Sequence, residues 1–292
     1  MNIASTEPQI TLVNSAVFAE QKYAKKWLVT DVLVAGQPWV IGGAIKTMKT
    51  SVTIDLAISL GTATPFLAHF HVPHKKRVAV FSGESGERTV QETARRICRS
   101  KQQSLDANCH VHWGFHLPRL GSASDLRELG NVLKTNRIEV VIIDPLYLCL
   151  LAGSKTASAS NLFDVGALLM RVSETCSQAG STMVLIHHMT KGTSNKKGAA
   201  STLADLAFAG IGEFARQWLL LTRTVEFTPG SGIHNLQMSL GGSAGHASRW
   251  LVHINESFID EKRVERGWDV DVGCISRQPG RRADSKLEFV VS

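Results

Sequence analysis

The sequence predicts an α/β protein: a mostly parallel sheet flanked by helices, with antiparallel strands at its carboxyl end. Three observations carry that expectation. Short apolar runs of strand length, "PWVIGG" (38–43), "RVAVF" (77–81) and "VVII" (140–143), alternate with stretches of helical period. Each run breaks off in glycine, serine or aspartate, the residues that end a buried strand in a turn. Past residue 214 the helical stretches stop, and strand-like pieces follow one another across glycine turns.

Along the chain, residues 1–25 are largely polar and unpatterned and read as a flexible arm. Residues 26–225 read as the core, and 226–292 as a carboxyl-terminal β extension and tail. "PWVIGG" is a buried strand running into a glycine turn. "KTSVTIDLAISLG" (49–61) is a helix, apolar on most faces and therefore buried, ended by Gly61. "KKRVAVFSGESGER" (75–88) is the next strand, with its polar end at Ser82-Gly83-Glu84, and a basic helix over roughly 87–103 follows. "RIEVVIIDPLY" (137–147) is a third strand, with Asp144 at its carboxyl end and Pro145 stopping it. Leu162, Val165, Leu169, Val172 and Cys176 recur at 3-4-3-4 spacing, one face of a helix. "STMVLIHHMTKG" (181–192) is a fourth strand. "RQWLLLTRTVEF", "HNLQMSLGG" and "SRWLVHI" are the later strands, which either extend the sheet edge or form a small appendage.

Composition narrows the class. The chain has 292 residues, 43% hydrophobic and 20% charged, which is ordinary for a soluble globular protein. Its longest apolar runs are far too short to span a bilayer, and no secretory leader is legible, so a cytoplasmic protein is expected. The five cysteines (98, 109, 149, 176, 274) are odd in number, scattered and never in C-x-x-C spacing, which argues for reduced thiols and against a disulfide framework or a zinc site. A net charge of +7 suits a polyanionic partner, nucleic acid first.

The chemistry concentrates in "GGAIKTMKTS" (42–51). Laid on G-x-x-x-x-G-K-[ST], Gly43 opens a phosphate-binding loop and Lys49-Thr50 closes it, between a strand and a helix as the motif requires. Backbone N–H groups of Gly43, Ala44, Ile45, Lys46, Thr47, Met48, Lys49, Thr50 and Ser51 would surround an anion at a helix N-terminus. Lys49 would add a point charge, and the Thr50 hydroxyl would ligate Mg²⁺. Asp144, 95 residues after Lys49 at the end of a buried strand, fits the carboxylate that holds that Mg²⁺. Glu84 ends the strand after the loop helix and can orient or deprotonate a water attacking the γ-phosphate. Glu87, at the start of the following helix, reads as a partner of the helix dipole instead. His187 and His188 end the fourth strand on opposite faces, where one of them can sense the phosphate. "MTKGTSNKKGAAS" (189–201) has no large apolar residue beyond Met189, so it reads as a loop whose Lys191, Lys196 and Lys197 suit sequence-independent phosphate contacts. It has no aromatic residue for base stacking.

With these motifs in order, the chain resembles the RecA-like P-loop ATPases of the AAA/RepA-type group, which includes plasmid hexameric helicases. The resemblance rests on "WVIGGAIKTMKTS", "VAVFSGESGER", "VVIIDPL", "VLIHHMTKG" and "GEFARQWLLL" and covers roughly residues 26–225. It implies ATP and Mg²⁺ as cofactors, Glu84 as the catalytic glutamate, and a pore-facing loop after the histidine-ended strand. It also implies an arginine acting across a subunit boundary, Arg216 or Arg223, in a homo-oligomer, by resemblance a hexamer, on single-stranded DNA. Length leaves room for the motor core and no separate primase-type or helicase amino-terminal domain.

Two departures bear on turnover. Met48 replaces the glycine before Lys49, which predicts an altered loop path, and Lys46 places a second cation inside the loop. A variant loop with a lysine five residues before the motif lysine does not fit, because that residue is Ala44. The departures motivate an alternative: a slow or non-hydrolysing nucleotide switch acting through a protein partner. A small-molecule phosphotransferase fits less well, because the "SKTAS" loop (154–158) offers no arginine to close over phosphates.

Overall fold

The computed structural model describes residues 12–106, 110–154, 157–190, 200–260 and 264–275. Eleven strands are present among the described residues: β1 (Trp27–Val29), β2 (Leu33–Val34), β3 (Trp39–Gly43), β4 (Val78–Ser82), β5 (Val111–Gly114), β6 (Val140–Asp144), β7 (Thr182–His188), β8 (Gln217–Arg223), β9 (Ile233–Gly242), β10 (Ser248–Asn255) and β11 (Asp269–Cys274). The helices are α1 (Ser15–Glu20), α2 (Lys49–Thr62), α3 (Glu87–Ser100), α4 (Ala123–Thr135), α5 (Leu146–Cys149), α6 (Leu162–Gln178) and α7 (Ile211–Phe214).

Nine strands form one sheet in the order β11-β10-β9-β8-β3-β7-β6-β4-β5. From β8 to β5 neighbouring strands run parallel, and β8 to β11 pair antiparallel. The carboxyl-end strands therefore extend the main sheet. The chain passes from β3 through α2 to β4, over two strands that it fills later. That jump opens a crevice at the carboxyl edge beside β3, where open α/β sheets bind ligands.

Alternation of side chains across the sheet builds two cores. Trp39, Ile41, Val80, Ile142, Val184 and Ile186 pack on α2 and α3. Val40, Ala79, Val141, Ile143 and Leu185 pack on α4, α5 and α6. Helix α2 lies deepest, with twelve of its residues buried, polar ones such as Thr53, Asp55 and Ser59 among them. Its buried Asp55 is satisfied by the Leu67 amide, Trp268 Nε1 and Lys101 Nζ. The β1–β2 hairpin is fastened to the sheet by the buried Gln217, whose amide bonds both backbone groups of Val34.

Several expectations are corrected. Helix α2 does not end at Gly61 but runs to Thr62, with Ala63 in the left-handed cap. Gly61 instead serves close approach, since a Cβ there would stand 2.8 Å from Val111 Cγ2. Leu162 is exposed at the first turn of α6, and Leu168 takes the buried position on that face. Within the expected amino-terminal arm, α1 is a single short helix, capped by Asn14 and burying none of its side chains.

Candidate functional site

The parallel strands deliver their last residues to one edge. Register sets Gly43 beside both His188 and Leu221, and Ser82 beside Asp144. Around this edge lies a cavity of ≈ 820 Å³, bordered by the loop, Glu84, Asp144, Tyr147, His188 and Arg223. That is room for a nucleotide.

The loop keeps the left-handed turn that a glycine would supply. Met48 has φ 63° and Lys46 φ 60°. A residue with a Cβ pays about 1–2 kcal/mol for that conformation. Met48 thus takes a backbone conformation that glycine adopts freely, and it packs its side chain against the core. At Gly43 a Cβ would come within 2.4 Å of Thr47 Oγ1, so the motif's first glycine is sterically required. Thr47 closes the turn by donating to the Ala44 carbonyl at 2.8 Å. Ile45 and Lys46 are exposed at the loop's tip.

Lys49 Nζ is buried and donates to the carbonyls of Gly43 (2.9 Å) and Ala44 (2.7 Å). Burial lowers its pKa to about 8, against the pull of the Asp144 and Glu84 carboxylates. Asp144 is also buried, which raises its pKa to about 6, although the Thr50 side chain hydrogen-bonds to it. Thr50 and Asp144 are thus already paired where one hydroxyl and one carboxylate could hold Mg²⁺. No cluster of three or more His, Cys, Asp or Glu that could cage a metal occurs among the described residues. A site of few protein ligands suits Mg²⁺, which keeps waters and takes phosphate oxygens.

Glu84 lies across the crevice, 42% exposed. Tyr147, one turn beyond Asp144, donates its hydroxyl to Glu84 Oε1 at 2.5 Å. That bond is the main reason the phenol's pKa is raised. His188 Nε2 stands 3.7 Å from the same oxygen, and its ring meets Tyr147 edge-on at 5.1 Å. Burial and then Lys49 lower the pKa of His188. His187, on the opposite face, is fully buried and donates Nε2–H to the Ala207 carbonyl at 2.8 Å. Burial drives its pKa down to about 4, so it stays neutral at ordinary pH. Both rings border the cavity, but only His188 approaches Glu84.

The two candidate arginines separate. Arg216 is exposed just ahead of β8, at the amino edge of the sheet, so the structure does not bring it to the crevice of its own chain. Arg223, at the other end of that strand, donates to the Lys46 carbonyl. Lys191, Lys196 and Lys197 lie outside the described residues. Sequence reasoning missed Tyr147 and the partners of Arg223. Tyr147 carries no motif, though its place three residues after Asp144 set it on the same rim. Among the described residues no helix is long and apolar enough to cross a membrane.

The profile of a family described as AAA domain matches residues 5–194. That span holds the loop, Glu84, Asp144, Tyr147 and both histidines, and stops short of β8 and Arg223. No curated protein matches the chain.

Proposed function

The chain belongs to the AAA-domain family of P-loop ATPases, and from that premise we propose that it binds Mg-ATP at residues 43–51, hydrolyses it, and works as an oligomeric motor or loader on nucleic acid. The observation that carries the reading is the convergence of Lys49, Thr50, Asp144 and Glu84 on one crevice. Lys49 leaves its two loop carbonyls to bind β- and γ-phosphate oxygens. Thr50 and Asp144 would hold Mg²⁺, whose part is to neutralise charge developing on the phosphates. Glu84 orients a water and takes its proton as the water oxygen bonds to phosphorus and the bond to the ADP oxygen breaks. Tyr147 and His188 keep the Glu84 carboxylate facing that water.

Nucleic acid, single-stranded DNA foremost, is favoured by the +7 net charge and by the three lysines after β7. The deciding experiment measures ATP turnover of wild type and Lys49→Ala, with and without single-stranded DNA, beside the solution mass. The reading expects turnover that needs Lys49, rises with DNA, loses that rise at higher salt, and belongs to an oligomer. An oligomeric, ATP-binding protein that no DNA or RNA stimulates overturns the nucleic-acid part. The second reading, a slow switch acting through a protein partner, is favoured by the two non-glycine residues at positive φ in the loop. It predicts tight ATP binding with turnover indifferent to Glu84→Gln.

A further inference from the structure

Lys46 and Met48 both hold positive φ, and neither is glycine. Residues with a Cβ persist there only when their surroundings impose it. Arg223 supplies such a constraint. Its Nη2 donates to the Lys46 carbonyl and also lies 3.2 Å from His234 Nδ1. Since Nδ1 accepts, the proton of His234 sits on Nε2, which donates to Glu256 Oε1 at 3.1 Å. The other Glu256 oxygen is 2.6 Å from Arg96 Nη2 on α3, with both side chains nearly buried. Phe227 covers this relay, its ring parallel to His234 at 4.9 Å and 5.2 Å from the Arg223 guanidinium. The connected groups run from the loop through β8 and β9, past the end of β10, to the helix that follows Glu84.

We propose that Arg223 is a positioning residue of its own chain's phosphate loop, holding Lys46 to Met48 in the left-handed path that a glycine at 48 would reach unaided. The His234–Glu256–Arg96 relay fixes Arg223 for that task. Both bonds leave the one Nη2, whose two N–H donors lie fixed in the guanidinium plane, and a lysine ammonium, one bond shorter, does not reach that position. The consequence for nucleotide rests on the function proposed above, while the effect on the loop does not.

Two measurements test it. Amide hydrogen exchange of residues 44–50 in the nucleotide-free protein reads the loop directly. Mg-ATP affinity and turnover read its consequence. Arg223→Gln is expected to speed exchange in that segment about tenfold and to raise the KM for Mg-ATP by a similar factor, the scale of one lost charged hydrogen bond. Exchange in β6 and kcat at saturating nucleotide should change little. Adding Met48→Gly should restore most of the affinity, because glycine takes the turn without a pin. Arg223→Lys should fail as the glutamine does, and it replaces that variant should it not fold. Unchanged loop exchange in Arg223→Gln, or an affinity loss that Met48→Gly leaves untouched, overturns the proposal. A wild type that binds no nucleotide defeats the proposed function instead, and the exchange measurement still decides the role of Arg223.

Discussion

Tyr147, three residues after Asp144, donates its hydroxyl to Glu84 Oε1 at 2.5 Å, joining the end of β6 to the loop after β4 across the crevice. Glu84 is otherwise 42% exposed, with His188 as its other neighbour at 3.7 Å. A carboxylate that free samples several rotamers, and only some of them face the crevice.

Glu84→Gln is expected to lower kcat about 10²–10⁴-fold, the range for removing a general base, with Mg-ATP binding retained. Tyr147→Phe should lower kcat by a few fold, through lost orientation alone. Steady-state turnover beside equilibrium nucleotide binding checks both. A Tyr147→Phe variant that loses binding and keeps kcat would place the tyrosine on the nucleotide instead.

The histidines should divide between stability and turnover. His187 is fully buried and bonded to Ala207, so His187→Ala leaves a cavity and an unpaired carbonyl. It should destabilise the fold by about 2–4 kcal/mol. His188→Ala, half-buried beside Glu84, should change the melting temperature little and lower turnover. Thermal unfolding and kinetics on the same two variants separate the roles.

How far the sequence carried these assignments depended on range. Lys49, Thr50, Glu84 and Asp144 were legible because Asp144 ends a strand, Glu84 lies two residues past one, and Lys49 and Thr50 open the helix that follows another; parallel strands bring those ends to one edge whatever the details of packing. Strand β5 and helix α4 went unread. β5 is four residues long and only half-buried, so its apolar signal is faint. The leucines of α4, Leu126, Leu129 and Leu133, do have helical spacing behind the Ser122 cap, a signal that was available. The Arg223–His234–Glu256–Arg96 relay was not legible at all. It joins residues from four separate segments, and no local pattern records such a meeting. The positive φ of Met48 was not legible either, because its residue type does not forecast that conformation.

Lys49 gives nucleotide binding an alkaline limb. Its pKa in the folded protein is about 8, below the ordinary 10.5, so the ammonium loses its proton as pH rises through 8. Mg-ATP affinity should therefore fall above pH 8. Stability should move the other way. Between about 8 and 10.5 the unfolded chain binds more protons at this residue than the folded one, so its contribution to unfolding free energy rises with pH. Binding titrations and melting curves across pH 7–10 check the pair, and Lys49→Ala should flatten both limbs.

Asp144 joins function and instability most directly. Burial raises its folded pKa to about 6, above the ordinary 3.8. Such a group favours the fold below pH 3.8, and that contribution is lost as pH rises through 6, because ionising the buried carboxylate is costly. At pH 7 the folded protein carries that cost, about 3 kcal/mol for a shift of this size if nothing else changed on substitution. Asp144→Asn keeps the shape and an acceptor for Thr50 but gives up the attraction to Lys49, so a net gain of ~1–2 kcal/mol is expected. The melting temperature at pH 7 should rise by a few degrees, and the gain should shrink towards pH 4, where the aspartate is already neutral. Mg²⁺-dependent turnover should be lost at every pH. In the wild type the same titration predicts turnover declining as pH falls through 6, with added Mg²⁺ shifting the midpoint lower because the cation competes with the proton for the carboxylate. A variant that is less stable than wild type at pH 7 would show that Asp144 is held in place by more than its burial suggests, and a midpoint indifferent to Mg²⁺ would remove the aspartate from the metal site.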